Sequence, residues 1–421
     1  MRILLLIILF PFALKAETDA TQLKQLIAKR DFFTFRTLFL EQSKDLSTFD
    51  LAYCSVFYHG WFGKPESSNE AVDILFKPDA PKMPDSTAAK VLEQKYKNYF
   101  RMGQYKDAND VLLLIQLKYA NGLSKDELND LKNSGLITSS LLNVPAMTMD
   151  RSGDLSLEYK RDIASLIRIP VKVNGVDGKF VVDSGANLST ITESLAKEMH
   201  VTVMDSANFG VTSSSKKAVD SKLGVADELK IGNITFHHVI FIVLPDKALK
   251  FGGGLYKIKG IVGLPVLAML GEIDIDNKNN FSSPATHGST GTPNLGFDAN
   301  TVFANVTFYG QQHAYIFDTG AATTIFNTNF QGAYPDSLKG AKESSSHVGG
   351  AGGVQKVNNL SLTNVHYDLG GTKGMLRRGS IQTSGTLSLF EDYFGIVGED
   401  IYTQHKLMRI DFADHCVSFT D

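Results

Sequence analysis

Cysteine is nearly absent: the 421 residues hold two, Cys54 and Cys416. That scarcity excludes a disulfide framework. The two thiols fall in different expected domains and are read as small buried hydrophobes. An excess of one charge is missing too. Lysine and arginine total 42 against 45 acidic residues, a net charge of −3, and the basic residues are dispersed. No basic field exists to attract nucleic acid, so nucleic-acid binding is excluded. The chain's long apolar run, Ile3 to Leu14, is too short to cross a bilayer comfortably. With Arg2 before it and Ala16 and Glu17 after it, the run reads as a signal peptide over 1–16. The expected product is exported, periplasmic or extracellular, with no stable membrane anchor after cleavage.

Signatures of bound groups are missing as well. Gly252-Gly253-Gly254 and Gly349-Gly350 are not followed by Lys-Ser/Thr, so neither is a phosphate loop. Gly288-Ser289-Thr290-Gly291 lacks the spacing of a nucleophile elbow. His237 and His238 are neighbours in a strand pattern and point to opposite faces, and the other histidines are scattered. No metal and no cofactor are expected. Glu272, Asp274 and Asp276 read as structural.

What is present divides by texture. Over 17–148 apolar residues recur at three and four positions, as in Leu23, Ile27, Phe32, Phe35, Leu38 and Leu40. Breaks are expected at Gly60-Trp61-Phe62-Gly63 and Met83-Pro84. Gly103, Tyr105 and Ala108 match the Gly-x-Tyr-x-x-Ala hinge of a tetratricopeptide-type helix pair, so an all-α domain of helical hairpins is expected. From about Ile163 the period becomes two. Ile167, Ile169, Val171 and Val173 alternate ahead of Asn174-Gly175, a hairpin signal.

The β-rich remainder repeats itself. Asp183-Ser184-Gly185 and Asp318-Thr319-Gly320 lie 135 residues apart, each after an apolar run and each before Ala, at 186 and 321. The same offset carries Gly260-Ile261-Val262-Gly263 onto Gly395-Ile396-Val397-Gly398, Ile275-Asp276 onto Ile410-Asp411, and Ser189 onto Thr324. Lobes are therefore expected at 149–281 and 300–421, joined by an exposed connector over 282–299. Short helices are expected at Glu193 to His200 and Leu264 to Leu270, and separate strands at 360–362 and 365–367.

Each copy offers one carboxylate on a turn. Two carboxylates about 3 Å apart share a proton: the ionised member can activate water, and the protonated member can donate to a carbonyl oxygen. Gly185 and Gly320 let backbone N–H groups approach the carboxylates, and Ser184 and Thr319 supply hydroxyls that can bond across to the other loop.

These motifs resemble those of the bilobal aspartic peptidases of the pepsin and retropepsin clan, over about residues 150–421. The resemblance implies a mainly β, two-lobed acid-protease fold preceded by the helical domain. It also implies an aspartic endopeptidase with Asp183 and Asp318 as its dyad, acting on polypeptide. Val348 to Gly353 resembles a retropepsin flap, which makes Gly349, Gly350, Gly352 and Gly353 flap candidates. The segment in the first lobe, Gly210 to Ala218, is rich in serine and lysine instead. In the family a hydroxyl after the catalytic glycine favours strongly acidic operation. Ala186 and Ala321 lack it, which implies a weakly acidic to near-neutral optimum. A glycan on the Asn187 sequon would block the dyad, which favours a bacterial exported protein. Three roles stay open for the helical domain: recruiting substrate, binding a protein partner, or shielding the cleft. The competing reading is a non-catalytic peptide- or partner-binding module on the same duplicated fold.

Overall fold

Apolar stripes and capping residues shape the N-terminal region of this computed structural model, which describes residues 19–204, 209–211, 219–288, 291–384 and 391–421. The expected signal peptide lies outside the described residues. Helices Thr21–Ala28, Phe32–Gln42, Thr48–Phe62, Pro65–Leu75, Asp85–Arg101, Tyr105–Lys118 and Lys125–Ser140 follow one another as antiparallel hairpins. Ser124 and Glu127 form a reciprocal capping box at the start of the last of them. The Gly-x-Tyr-x-x-Ala hinge lies where its chemistry demands. Gly103, at φ +71°, follows the end of Asp85–Arg101, Tyr105 opens the next helix, and Ala108 is fully buried between them.

The break expected at Gly60-Trp61-Phe62-Gly63 falls at the last of the four residues. Thr48–Phe62 runs unbroken through Gly60 and Trp61 and stops at Gly63. Gly60 stays helical because the helix needs it bare: a Cβ there would meet the Gln94 side chain at 2.5 Å.

Two large sheets follow, one per copy. In the first, Ser189–Thr192, Gly260–Val262, Val176–Val182, Ile167–Val173 and Val219–Ile231 are consecutive neighbours. In the second, Thr301–Phe308, Gln311–Phe317, Gly395–Val397, Ile325–Phe326, Thr372–Gln382 and Gly353–Leu369 are. A third sheet joins the copies. Glu272–Asp276 pairs with Leu407–Asp411, flanked by Asn280–Ser283, Leu155–Glu158 and Cys416–Thr420. Its central register sets Asp274 against Arg409, residues equivalent under the 135-residue offset, so a pseudo-twofold axis passes through that pair. The architecture is the two-lobed acid-protease fold. The short helices form at Glu193–Glu198 and Leu264–Met269.

The connector departs from expectation. Leu295–Asp298 is an edge strand, with Leu295 and Phe297 buried. It is covered because the helical region packs there: a Cβ on Gly296 would lie 2.7 Å from the Phe62 ring. Likewise, the strands expected at 360–362 and 365–367 are one continuous strand, Gly353–Leu369.

The helices are seated on the second lobe. The ring of Phe303 lies 4.3 Å from that of Phe32, 5.7 Å from Phe33 and 6.0 Å from Phe62. Beside this aromatic cluster, Asp298 pairs with Arg30 and, at 3.2 Å, with Lys97. Burial opposes the charge on Asp298, but these two cations hold its carboxyl far below the usual range. Cys54 and Cys416 are both free and buried.

Candidate active site

The buried strands Val176–Val182 and Gln311–Phe317 deliver the two aspartates to the axis. Each strand is held by its own Gly-Ile-Val-Gly segment. Val181 and Val182 pair in parallel with Ile261 and Val262, and Ile316 and Phe317 with Ile396 and Val397. The N–H of Asp183 donates to Val262 O at 3.1 Å, and that of Asp318 to Val397 O at 3.0 Å.

Ser184 and Thr319 then lock the lobes together. The N–H of Ser184 donates to Thr319 Oγ1 and the N–H of Thr319 to Ser184 Oγ, both at 3.0 Å. Each hydroxyl passes its own proton across the axis: Ser184 Oγ donates to Phe317 O at 2.7 Å, and Thr319 Oγ1 to Val182 O at 3.1 Å. Both residues are buried, so every one of these bonds lies out of water.

The glycines set the distance between loops. A Cβ on Gly320 would lie 2.4 Å from Asp183 Cγ, and one on Gly185 would lie 2.5 Å from Asp318 Cγ. Only hydrogen at these positions lets each loop press against the opposite carboxyl. The carboxyls hydrogen-bond one another. Gly320 N–H donates to Asp318 Oδ1 at 2.8 Å, while Asp183 Oδ1 is buried with no well-aligned protein partner.

These surroundings set the charge state. Burial, and then the negative charge of Asp318, push the Asp183 carboxyl well above the usual carboxylate range. Burial raises Asp318 as well, but N–H groups of Gly320, Ala321 and Gly185 and the bond from Asp183 oppose that rise. The pair thus titrates as a unit, and the N–H donors around Asp318 favour the arrangement that leaves the shared proton on Asp183.

The residues that brace the two loops were only half legible in the sequence. Ser189 and Thr324 repeat at the 135-residue offset, and both prove to be braces. Ser189 Oγ accepts from Gly263 N–H at 3.1 Å, and Thr324 Oγ1 from Gly398 N–H at 3.2 Å. In the second lobe Asp400 in turn accepts from Thr324 Oγ1 at 2.7 Å. Tyr402, whose hydroxyl lies 3.4 Å from Thr319 O, and the half-buried Arg161 paired with the buried Glu399 carry no sequence signal of this kind.

The flap-candidate glycines lie together. Lys342–Gly350 and Gly353–Leu369 form one long hairpin with Gly350 opposite Gly353 at its tip, where Gly352 and Gly353 have φ of +96° and +109°. This tip reaches the first lobe: Gly352 N–H donates to Ala248 O at 3.0 Å, and Ala351 packs into the cluster of Val181, Ala248 and Ile261. The first lobe's candidate segment is a shorter hairpin, Phe209–Val211 against Val219–Ser221; 212–218 lie outside the described residues. A cavity of about 250 Å³ between Phe100, Tyr105, Leu188, Pro265 and Phe297 is lined by neither aspartate.

Residues 169–266, which span Asp183 and the first Gly-Ile-Val-Gly, match the family described as aspartyl protease. No curated protein matches the chain. Among solved structures it is similar to conglutin gamma, a basic 7S globulin from lupine seeds. That match has 10% identity over 64% of this chain and 95% of the other, with a TM-score of 0.41. It is also similar to a retropepsin-like aspartic protease from Rickettsia conorii, 21% identical over 32% of this chain and 94% of the other, with a TM-score of 0.23.

Proposed function

We propose that the chain is an exported aspartic endopeptidase in which Asp183 and Asp318 hydrolyse a peptide bond with one shared water. Asp318, the charged member, takes a proton from the water as its oxygen attacks the carbonyl carbon. Asp183 gives its proton to the carbonyl oxygen. The resulting diol collapses when Asp318 gives the proton it took to the nitrogen and a diol hydroxyl returns a proton to Asp183; the C–N bond breaks and the starting dyad is restored.

The reciprocal Ser184–Thr319 hydrogen bonds carry this reading. They fix one acid from each lobe against the other in a buried setting, a costly arrangement unless a shared proton is used. The hairpin tip that bonds to Ala248 supports a cleft that closes over an extended chain, held by main-chain hydrogen bonds. Export is supported by the apolar run from Ile3 to Leu14. Mass spectrometry of the mature N-terminus in fractionated cells tests that part.

The decisive experiment incubates the purified chain with a diverse peptide library across about pH 3–8 and reads cleavage by mass spectrometry, beside Asp318→Asn. Cleavage by wild type and none by the variant is expected. Wild-type-like hydrolysis by the variant rejects the mechanism. A non-catalytic binder would cut nothing and would not hold a statine-type transition-state mimic tightly. Because Ala186 and Ala321 carry no hydroxyl, the rate should peak under weakly acidic to near-neutral conditions; a maximum below about pH 3 rejects that inference.

A further inference from the structure

The strand pair Glu272–Asp276 and Leu407–Asp411 crosses the pseudo-twofold, so its two ends occupy equivalent positions and each is a control for the other. At one end Asp276 stands opposite Leu407, and Asn279 follows in the turn; at the other Asp411 stands opposite Glu272, and Asp414 follows. The turn role is common to both ends. Asp276 Oδ1 accepts the N–H groups of Lys278 and Asn280, and Asp411 Oδ1 those of Ala413 and Asp414. Glu272 and Asp414 have neutral counterparts in the other copy. The fold therefore does not require the extra acid at this end.

That acid is buried where it should be costly. Glu272 is 3% exposed and Asp411 0%. Like charges directly opposite in a sheet repel, and a buried charge without compensation is strongly destabilising. Arg409 answers only part of this, holding Glu272 Oε1 at 3.0 Å and both oxygens of Asp274 at 2.7 Å. Glu272 Oε2 remains buried, turned into the cluster, with no hydrogen-bond partner.

His287, from the connector, completes the group. Ligand atoms of Glu272, His287 and Asp411 all lie within 4.8 Å of one another. His287 Nε2 is 3.2 Å from Asp414 Oδ2 and 3.6 Å from Asp411 Oδ2, and Nδ1 is 3.7 Å from Glu272 Oε2. Donors held to one ion at about 2.0–2.2 Å stand roughly 3–3.6 Å apart, and an imidazole gives an ion one nitrogen only, so the group must draw in by roughly 1–2 Å.

We propose that Glu272, His287 and Asp411, with Asp414 at the rim, form a binding site for one divalent transition-metal ion such as zinc. One imidazole with carboxylate oxygens suits such an ion, and its charge offsets the buried Glu272 oxygen that Arg409 does not reach. Bound there, it ties the connector to a strand of each lobe. This site is remote in chemistry from the dyad and does not depend on the peptidase reading.

The test strips the full chain with a chelator, adds zinc or manganese, and reads metal content and melting temperature. One ion per chain and a rise in melting temperature are expected. His287→Ala and Glu272→Leu, the residue the opposite end carries, should each weaken zinc binding about tenfold or more. In the metal-free protein Glu272→Leu should raise the melting temperature. The proposal is overturned if stripped wild type neither takes up an ion nor shifts. It is equally overturned if both variants bind like wild type, which would mark an adventitious ion only. His287 is partly exposed, so its variant keeps the test decisive even if Glu272→Leu fails to fold.

Discussion

Thr319→Val removes one hydroxyl from the axis while keeping the side chain's shape. In the wild type that buried hydroxyl accepts from Ser184 N–H at 3.0 Å and donates to Val182 O at 3.1 Å. The variant leaves a buried donor unsatisfied, worth about 1–3 kcal/mol, and removes a second bond worth about 0.5–1.5 kcal/mol. The expected loss is therefore about 2–4 kcal/mol in a urea or guanidinium titration. Thr319→Ser, which keeps both bonds, should stay within about 1 kcal/mol of wild type. Ser184→Ala breaks the symmetry-related pair of bonds and should cost a similar amount. The double variant should fall short of the sum, because each single change already loosens the same junction. Peptide cleavage should fall with stability, since the loops that these bonds hold carry Asp183 and Asp318. A Thr319→Val protein that melts like wild type and cuts at the wild-type rate would refute the reasoning.

Three further outcomes follow from the same geometry. Asp183 has its carboxyl raised first by burial and then by Asp318, so the folded state binds more protons than the unfolded state above about pH 4, and stability falls as pH rises toward the folded-state value. Asp183→Asn should flatten that decline and melt above wild type at neutral pH; denaturation curves at several pH values decide, and an unchanged slope counts against it. Gly320→Ala places a methyl group 2.4 Å from Asp183 Cγ, so the protein should fold, with about 1–3 kcal/mol lost, yet cleave almost nothing; full activity would show that the loops need not touch. Phe303→Ala empties the aromatic cluster between helices and second lobe, should cost about 3–5 kcal/mol, and should lower the melting of both together in calorimetry; helices melting separately would exclude the shared core.

The duplication explains what was legible. A contact between Ser184 and Thr319 is invisible to local propensity, yet a repeat with one carboxylate per copy forces the loops to meet if the copies pack about a twofold. Sheet order near the site follows the same logic, since identical Gly-Ile-Val-Gly segments need identical partners. Features that occur once were harder to read. Within Gly60-Trp61-Phe62-Gly63 the helix ends at Gly63 and passes through Gly60, because a glycine looks the same in sequence whether it ends a helix or admits Gln94. Leu295–Asp298 hid in a polar connector, because its burial comes from helices distant in sequence, Phe62 lying 234 residues before Gly296 (296 − 62). Arg161 and Glu399 meet across the lobes with no pattern to announce them.

Departures from the twofold separate what the fold needs from what has been added to it. The braces Ser189 and Thr324 occur in both copies and hold the same N–H groups, so they belong to the scaffold that any such dyad requires. The long hairpin ending at Gly350 and Gly353 in the second copy bonds at its tip to the first copy at Ala248. The aromatic seat around Phe303 likewise serves the second lobe, and the acid cluster at Glu272 one end of the joining strands. A symmetric pair of carboxylates can bind a symmetric water, but a peptide has a direction. Under the proposed peptidase reading, discrimination between its two ends must come from where the copies differ, and the contact of the second lobe's hairpin tip with Ala248 is one such difference.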